Sequence, residues 1–299
     1  MKETLIALAT VAVTTGAMAQ VTLSGSLGMG VTGTSFVTSS TASTRTMGVT
    51  DSSFTFAANE DLGGGMKVSV SQTIDASGAQ GTGVTGDGTK IALTGGFGGV
   101  TFGQLCASGA LGEAVVGGGA NTFKHAVAAA AGTDCRSYQY GLFTLPTLVQ
   151  GLGVAVRIQN LSAAGTVNFK DFSAADNGLQ YRFDYATGAL KTGFYARSTT
   201  SELHASYDFG VAAFKFGADT KVVSGDKRQE FAIVVPMGAA KVSLGYGKKG
   251  VIKGTEIGVT YALSKRTAIQ ANFGTFTPST TQTGDQVKSS NRVKLVHSF

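Results

Sequence analysis

After the first twenty positions, no apolar run reaches the ~18 residues that a membrane-spanning helix needs, which excludes a helical membrane protein. Charged residues make up only 14% of the chain, too few for a disordered polyelectrolyte, and 43 glycines are too many for a helical enzyme. Proline occurs 3 times and tryptophan not at all. The only histidines are His125, His204 and His297, and neither H-x-x-x-H nor C-x-x-C spacing occurs. No metal site, cofactor or nucleic-acid partner is expected from such a set.

What the chain does have is alternation. Met66, Val68 and Val70 alternate with Lys67, Ser69 and Ser71, and Leu179, Tyr181, Phe183 and Tyr185 alternate with Gln180, Arg182 and Asp184. Phe54 and Phe56 point away from Ser53 and Thr55 in the same way. Repeated along the chain, this period of two gives roughly 16 strands. A lysine at position 2, an apolar stretch from Leu5 to Val13 and the A-x-A site Ala17-Met18-Ala19 form an export signal over residues 1–19. Residues 20–299 then make one domain. Its last segment sets Val293, Leu295, His297 and Phe299 on one face, and the terminal Phe299 reads as the assembly signal presented to a barrel-assembly machinery.

Alternation alone fits a soluble sandwich as well as a membrane barrel, so the connections decide. Tight turns at 61–65, 95–99, 147–151, 186–188, 208–210, 236–238 and 264–266 mostly alternate with longer polar links. Short turns at one end and long loops at the other are the asymmetry of outer-membrane barrels. An even strand number brings both termini to one end, where the first and last strands can pair and leave no open edge to lipid. The expected fold is all-β, a 16-stranded antiparallel transmembrane barrel. Without tryptophan its interfacial girdles must use tyrosine and phenylalanine, such as Tyr140, Tyr185, Tyr207, Tyr246, Tyr261 and Phe299.

Four segments carry a family resemblance: Ala17 to Gly25, Glu60-Asp61-Leu62-Gly63-Gly64-Gly65-Met66-Lys67, Gly96 to Gln104, and Val293 to Phe299. Together they resemble the general-diffusion porins of Gram-negative bacteria, notably those of β-proteobacteria. The resemblance implies outer-membrane residence among lipids, a homotrimer, and a third external loop folded inward to set the constriction. That loop corresponds to residues 107–134, the longest link. Its acidic residues are Glu113 and Asp134, with Lys124 and His125 between them, so a weak transverse field is expected. Ser53, Ala57 and Gln104 stand where relatives commonly carry arginines. Arg136 resembles a constriction arginine, although strand parity groups it with Tyr138 and Tyr140 on the lipid side.

Parity assigns the remaining pore lining. Lys67, Lys90, Arg157, Arg182, Lys191, Arg197, Lys215, Lys241, Arg292 and Lys294 are expected to point inward, against Asp75, Asp184, Glu202, Asp208, Asp219, Glu230 and Glu256. About ten bases facing about seven acids should favour anions mildly, an effect softened by salt screening. The net charge of +6 agrees in sign. Cys106 and Cys135 bracket the long loop and could close it with a disulfide in an oxidising compartment, or remain two free thiols. Glu202, His204 and Asp208 on one strand invite a hydrolase reading, but successive inward residues are more simply a wet wall, and no catalytic residues are assigned. The leading function is passive diffusion of small hydrophilic solutes through a water-filled channel. A substrate-selective channel and a non-transport adhesin or structural barrel are the alternatives.

Overall fold

The computed structural model of the protein describes residues 20–36, 43–75, 85–106, 137–160, 179–197, 200–222, 227–277 and 287–299. They form sixteen strands: Gln20–Phe36 (β1), Thr44–Gly63 (β2), Met66–Asp75 (β3), Thr85–Gly95 (β4), Gly98–Cys106 (β5), Ser137–Thr144 (β6), Leu152–Asn160 (β7), Leu179–Thr187 (β8), Leu190–Ala196 (β9), Thr200–Asp208 (β10), Ala213–Val222 (β11), Arg228–Met237 (β12), Ala240–Lys249 (β13), Ile252–Ala262 (β14), Thr267–Thr277 (β15) and Val287–Ser298 (β16). Every strand pairs antiparallel with its sequence neighbours, and β1 pairs with β16. The sheet closes, so each strand finds a partner on both sides and no edge is left for lipid to meet.

The two faces of this sheet have inverted polarity. Large apolar side chains such as Leu23, Met29, Phe56, Ile91, Phe102, Leu244, Phe273 and Leu295 are exposed on the outside. Among the described residues the buried apolar set is only Ala92, Ala218, Ala232 and Phe276. The buried polar set is larger, with Ser52, Arg157, Gln180, Ser201, Glu230, Ser243, Glu256, Asn272 and Lys294. A water-soluble protein does not wrap an apolar belt around a polar interior, because exposed apolar patches rarely exceed a few hundred Å² in such proteins. Acyl chains are the solvent that this outside fits.

Turn chemistry fixes which end is which. The connections β2–β3, β4–β5, β6–β7, β8–β9, β10–β11, β12–β13 and β14–β15 lie at one end of the barrel and span two to seven residues. The other end carries the longest links, β5–β6 and β7–β8, beside the short β9–β10 and β13–β14. At β2–β3 the consecutive Gly63, Gly64 and Gly65 have φ of 79°, 61° and 77°, a region that costs other L-residues but not glycine. Asp61 accepts the Gly63 backbone N–H at 2.9 Å, and Asp208 accepts that of Gly210 at 2.8 Å. Both chain ends of the barrel lie at this tight-turn end, since Gln20 pairs with Asn59 and Ser298 with Ser26. In outer-membrane barrels the tight-turn end is periplasmic.

One irregularity is needed to keep β2 amphipathic. The β1–β2 register shifts between Gly28 and Met29, which pair with Asp51 and Val49 and leave Thr50 as the extra residue. A bulge changes the phase of the alternation by one. Met47 on one side of it and Phe54 and Phe56 on the other therefore all face outward despite their opposite parity.

The structure corrects the lipid-side assignment of Tyr140. In the register Tyr140 pairs with Gly103, and Leu142 lies in the row of Arg157, while Phe143 pairs with Val100 and is exposed outside. The Arg157 guanidinium sits over the Tyr140 ring, 4.6 Å from its centre. Tyr140 belongs to the lumen, not to a girdle. With large residues at 138, 140, 142 and 143 the sequence of β6 offers no clean apolar face, and the neighbouring strands decide its phase.

Candidate functional site

The lumen wall from β6 to β12 holds a charged and aromatic network whose geometry follows from register. Arg157 on β7 stands opposite Gln180 on β8, and Arg182, two residues further along β8, stands opposite Tyr195 on β9. Residues directly opposite or diagonal on one face of a sheet are within side-chain reach. Arg182 Nη2 donates to the Tyr195 hydroxyl at 2.9 Å, its guanidinium lies 4.3 Å from the ring centre, and the Tyr195 hydroxyl donates onward to Asp184 Oδ1 at 2.9 Å. Oriented with its oxygen toward Arg197, the Gln180 amide accepts from Nε and Nη2 at 3.1 and 3.2 Å.

His204 on β10 completes this part of the wall. Its Nε2 lies 3.9 Å from Asp184 Oδ1, and its ring meets Tyr195 edge-on with centres 5.0 Å apart. The ring rests on Gly193, where an added Cβ would come within 2.5 Å of Nε2 and 2.7 Å of Asp184 Oδ1. Only glycine leaves room for it. Further round, Arg228 Nε lies 3.8 Å from Glu230 Oε1, the Arg228 backbone N–H donates to Asp219 Oδ2 at 2.8 Å, and Asn272 donates to Glu256 Oε1 at 2.7 Å. Glu230 is 1% exposed; its Oε1 faces Arg228, and its Oε2 has no hydrogen-bond partner among the described residues.

The residues expected to line the pore distribute as follows. Lys67 shares an inward row with Thr94 on β4, and Lys90 one with Ser71 and Gly103. Lys191 and Lys215 flank Ser206 in one row, and Arg292 and Lys294 alternate on β16 with the exposed Val293 and Leu295. Arg157, Arg182 and Arg197 come together on β7–β9. Gln104 pairs in the backbone with Thr89 and Gln139. Glu113, Lys124, Arg136 and Cys135 lie outside the described residues, and the inward third loop with them. Cys106 ends β5 with its backbone opposite Ser137.

Asp208, expected in the lumen, caps the β10–β11 turn. The trio Glu202, His204 and Asp208 does not assemble, since the carboxylate nearest His204 is Asp184 on another strand. Among the described residues no group of three or more His, Cys, Asp or Glu side chains could hold a metal. Two lumen residues were missed by sequence reasoning. Arg228 shares the parity of Glu230 and was findable by extending β12 by one residue, whereas Tyr140 gave no signal.

Comparison with known proteins agrees with this architecture. A family model described as Gram-negative porin matches residues 4–281. The anion-selective porin from Comamonas acidovorans superposes with a TM-score of 0.68 at 18% identity, covering 94% of this chain and 100% of that one. A triple mutant of the Rhodopseudomonas blastica porin gives 0.63 at 12% identity, with 94% and 100% covered. A loop-deletion mutant of OmpT, an outer membrane protein of Vibrio cholerae, gives 0.61 at 12% identity, with 94% and 99% covered. No curated protein sequence matches.

Proposed function

The chain belongs to the Gram-negative porin family and forms an outer-membrane diffusion channel, and from that premise we propose that it passes small hydrophilic solutes passively with a mild preference for anions. Fold and family point to a channel rather than an enzyme. The carrying observation is the balance of the lumen charges. Asp61, Asp184 and Asp208 accept from neutral donors and keep their charge, whereas Glu230 faces a cation, Arg228, so the basic excess on the inward rows is one of number. Lys67, Lys90 and Lys191 stay exposed on inward rows. A basic excess along a water-filled path lowers the barrier for anions and raises it for cations. The anion selectivity of the Comamonas acidovorans porin, a barrel of the same fold, supports the same sign.

The remaining features of the proposal follow the family resemblance. Residues 1–19 are removed on export, and the third loop, 107–134, folds inward with Glu113, Lys124 and Arg136 near the constriction. The barrels assemble as homotrimers, with Phe299 presenting the last strand to the barrel-assembly machinery. An outer-wall recess of about 920 Å³ among Phe56, Val70, Ile91, Phe102 and Phe143 gives a neighbouring barrel side chains to interlock with.

Reversal potentials across a tenfold KCl gradient in planar bilayers test the charge sign. A potential displaced toward the chloride equilibrium value is expected, and one displaced toward potassium would overturn the preference.

A further inference from the structure

We infer that Arg157, Arg182 and Arg197 form a binding site for a small oxyanion, a carboxylate or a phosphate, on the β7–β9 wall of the lumen. This rests on the reading of the lumen as an aqueous path, and deepens it from a bias in sign to a place where an anion stops.

The argument starts from Arg157. It is 9% exposed, yet its Nε and Nη2 find no hydrogen-bond partner among the described residues. The charged groups that act on it are Arg197 and Arg182, both cations, with Tyr140 beside them. A buried guanidinium with unmade hydrogen bonds and like-charged neighbours is a costly arrangement unless something anionic covers it. Among the described residues no acid is one of the groups that act on Arg157. Asp184 accepts a hydrogen bond from the Tyr195 hydroxyl and faces His204, and the cations acting on Glu202 are first Arg228 and then Arg197 and Arg182.

The aromatic rings say what shape the ligand has. Arg157 is stacked on Tyr140, and Tyr140 in turn lies on Gly103, where an added Cβ would come within 2.8 Å of the ring. Arg182 is stacked on Tyr195. Arg182 gives one Nη2 N–H to the Tyr195 hydroxyl, and Arg197 gives its Nε and Nη2 to Gln180. Stacking covers only a face of Arg157 and leaves its in-plane Nε–Nη2 edge, the geometry that grips two oxygens of one carboxylate or phosphate. Lysine could not present such an edge. The site is also displaced from Ser53, Ala57 and Gln104, where the family resemblance would have put arginines, so the positive charge has a different wall here.

Chloride current through single channels, recorded while inorganic phosphate or succinate is added, tests this. Both anions are expected to reduce the current at millimolar concentration, with a half-blocking concentration at least tenfold higher in Arg157→Gln. Arg157→Lys, which keeps the charge without the fork, is expected to fall between the two. Lys248→Gln, on the outer face, should block like the unaltered protein. The shift of apparent size between unheated and heated samples on a denaturing gel reports that each variant is folded. Block by phosphate but not succinate assigns the site to phosphate, and the reverse to carboxylates. Absence of block by either, or equal block in folded Arg157→Gln, would overturn the site. A channel that shows the block but no chloride-ward reversal potential would keep the site and lose the general anion preference.

Discussion

Phe299 and Gly25 exchange two backbone hydrogen bonds, each 3.1 Å long, and the Phe299 ring lies over the glycine. A Cβ on Gly25 would come within 2.6 Å of the ring's Cζ. The ring also tilts against Phe54, with centres 5.6 Å apart. Ring and glycine together form the seam where the last residue meets the first strand, an aromatic laid over a cross-strand glycine.

Gly25→Val should therefore open that seam. The added side chain collides with the ring and with the Ser53 carbonyl oxygen, so backbone must move, at a cost of about 1–3 kcal/mol. Phe299→Ala should cost less in the folded barrel, about 1 kcal/mol for the lost ring pairing. Thermal unfolding in detergent checks both, with the Gly25 variant expected to melt lower.

The Arg228–Glu230 pair gives a second outcome. Glu230 is almost fully buried, and removing its partner leaves an uncompensated carboxylate, which for a buried pair costs about 3–5 kcal/mol. Arg228→Gln should lower the unfolding midpoint clearly. Arg228→Gln with Glu230→Gln should recover much of the loss, and the double-mutant cycle measures the coupling.

The phase of β6 can be read by chemistry. In a background of Cys106→Ser and Cys135→Ser, Tyr140→Cys should react with a charged thiosulfonate reagent that enters the lumen. Phe143→Cys should be shielded by lipid in the same vesicles. The opposite pattern would restore Tyr140 to the girdle.

The loop cysteines make a separate prediction. If Cys106 and Cys135 are bonded, intact protein takes up two alkyl groups only after reduction, and reduction lowers stability by about 3–4 kcal/mol, the entropy of closing a loop of about 30 residues. Two alkyl groups taken up without reductant would mean free thiols.

Much of the barrel was legible in the sequence for a simple reason. Where one face carries Leu, Val, Ile or Phe and the other Lys, Ser or Thr, as in Met66 to Ser71 and Leu179 to Tyr185, the period of two fixes both strand and face. The glycine turns at Gly63–Gly65 and Gly210 set the strand ends as well. Legibility failed where phase depends on neighbours. The bulge at Thr50 has no local mark, and Tyr140 and Leu142 take their face from pairing with Gly103 and Arg157. The convergence of Arg157, Arg182 and Arg197 was likewise hidden, because each was assigned inward singly and only the register across β7, β8 and β9 makes them neighbours.

Single-channel recording of refolded residues 20–299 tests the central claim that the polar face of the closed sheet encloses water. Discrete conductance steps that grow in proportion to KCl concentration are expected. A protein that inserts into the bilayer yet gives no steps would have a filled interior, and the account of an aqueous lumen would be wrong.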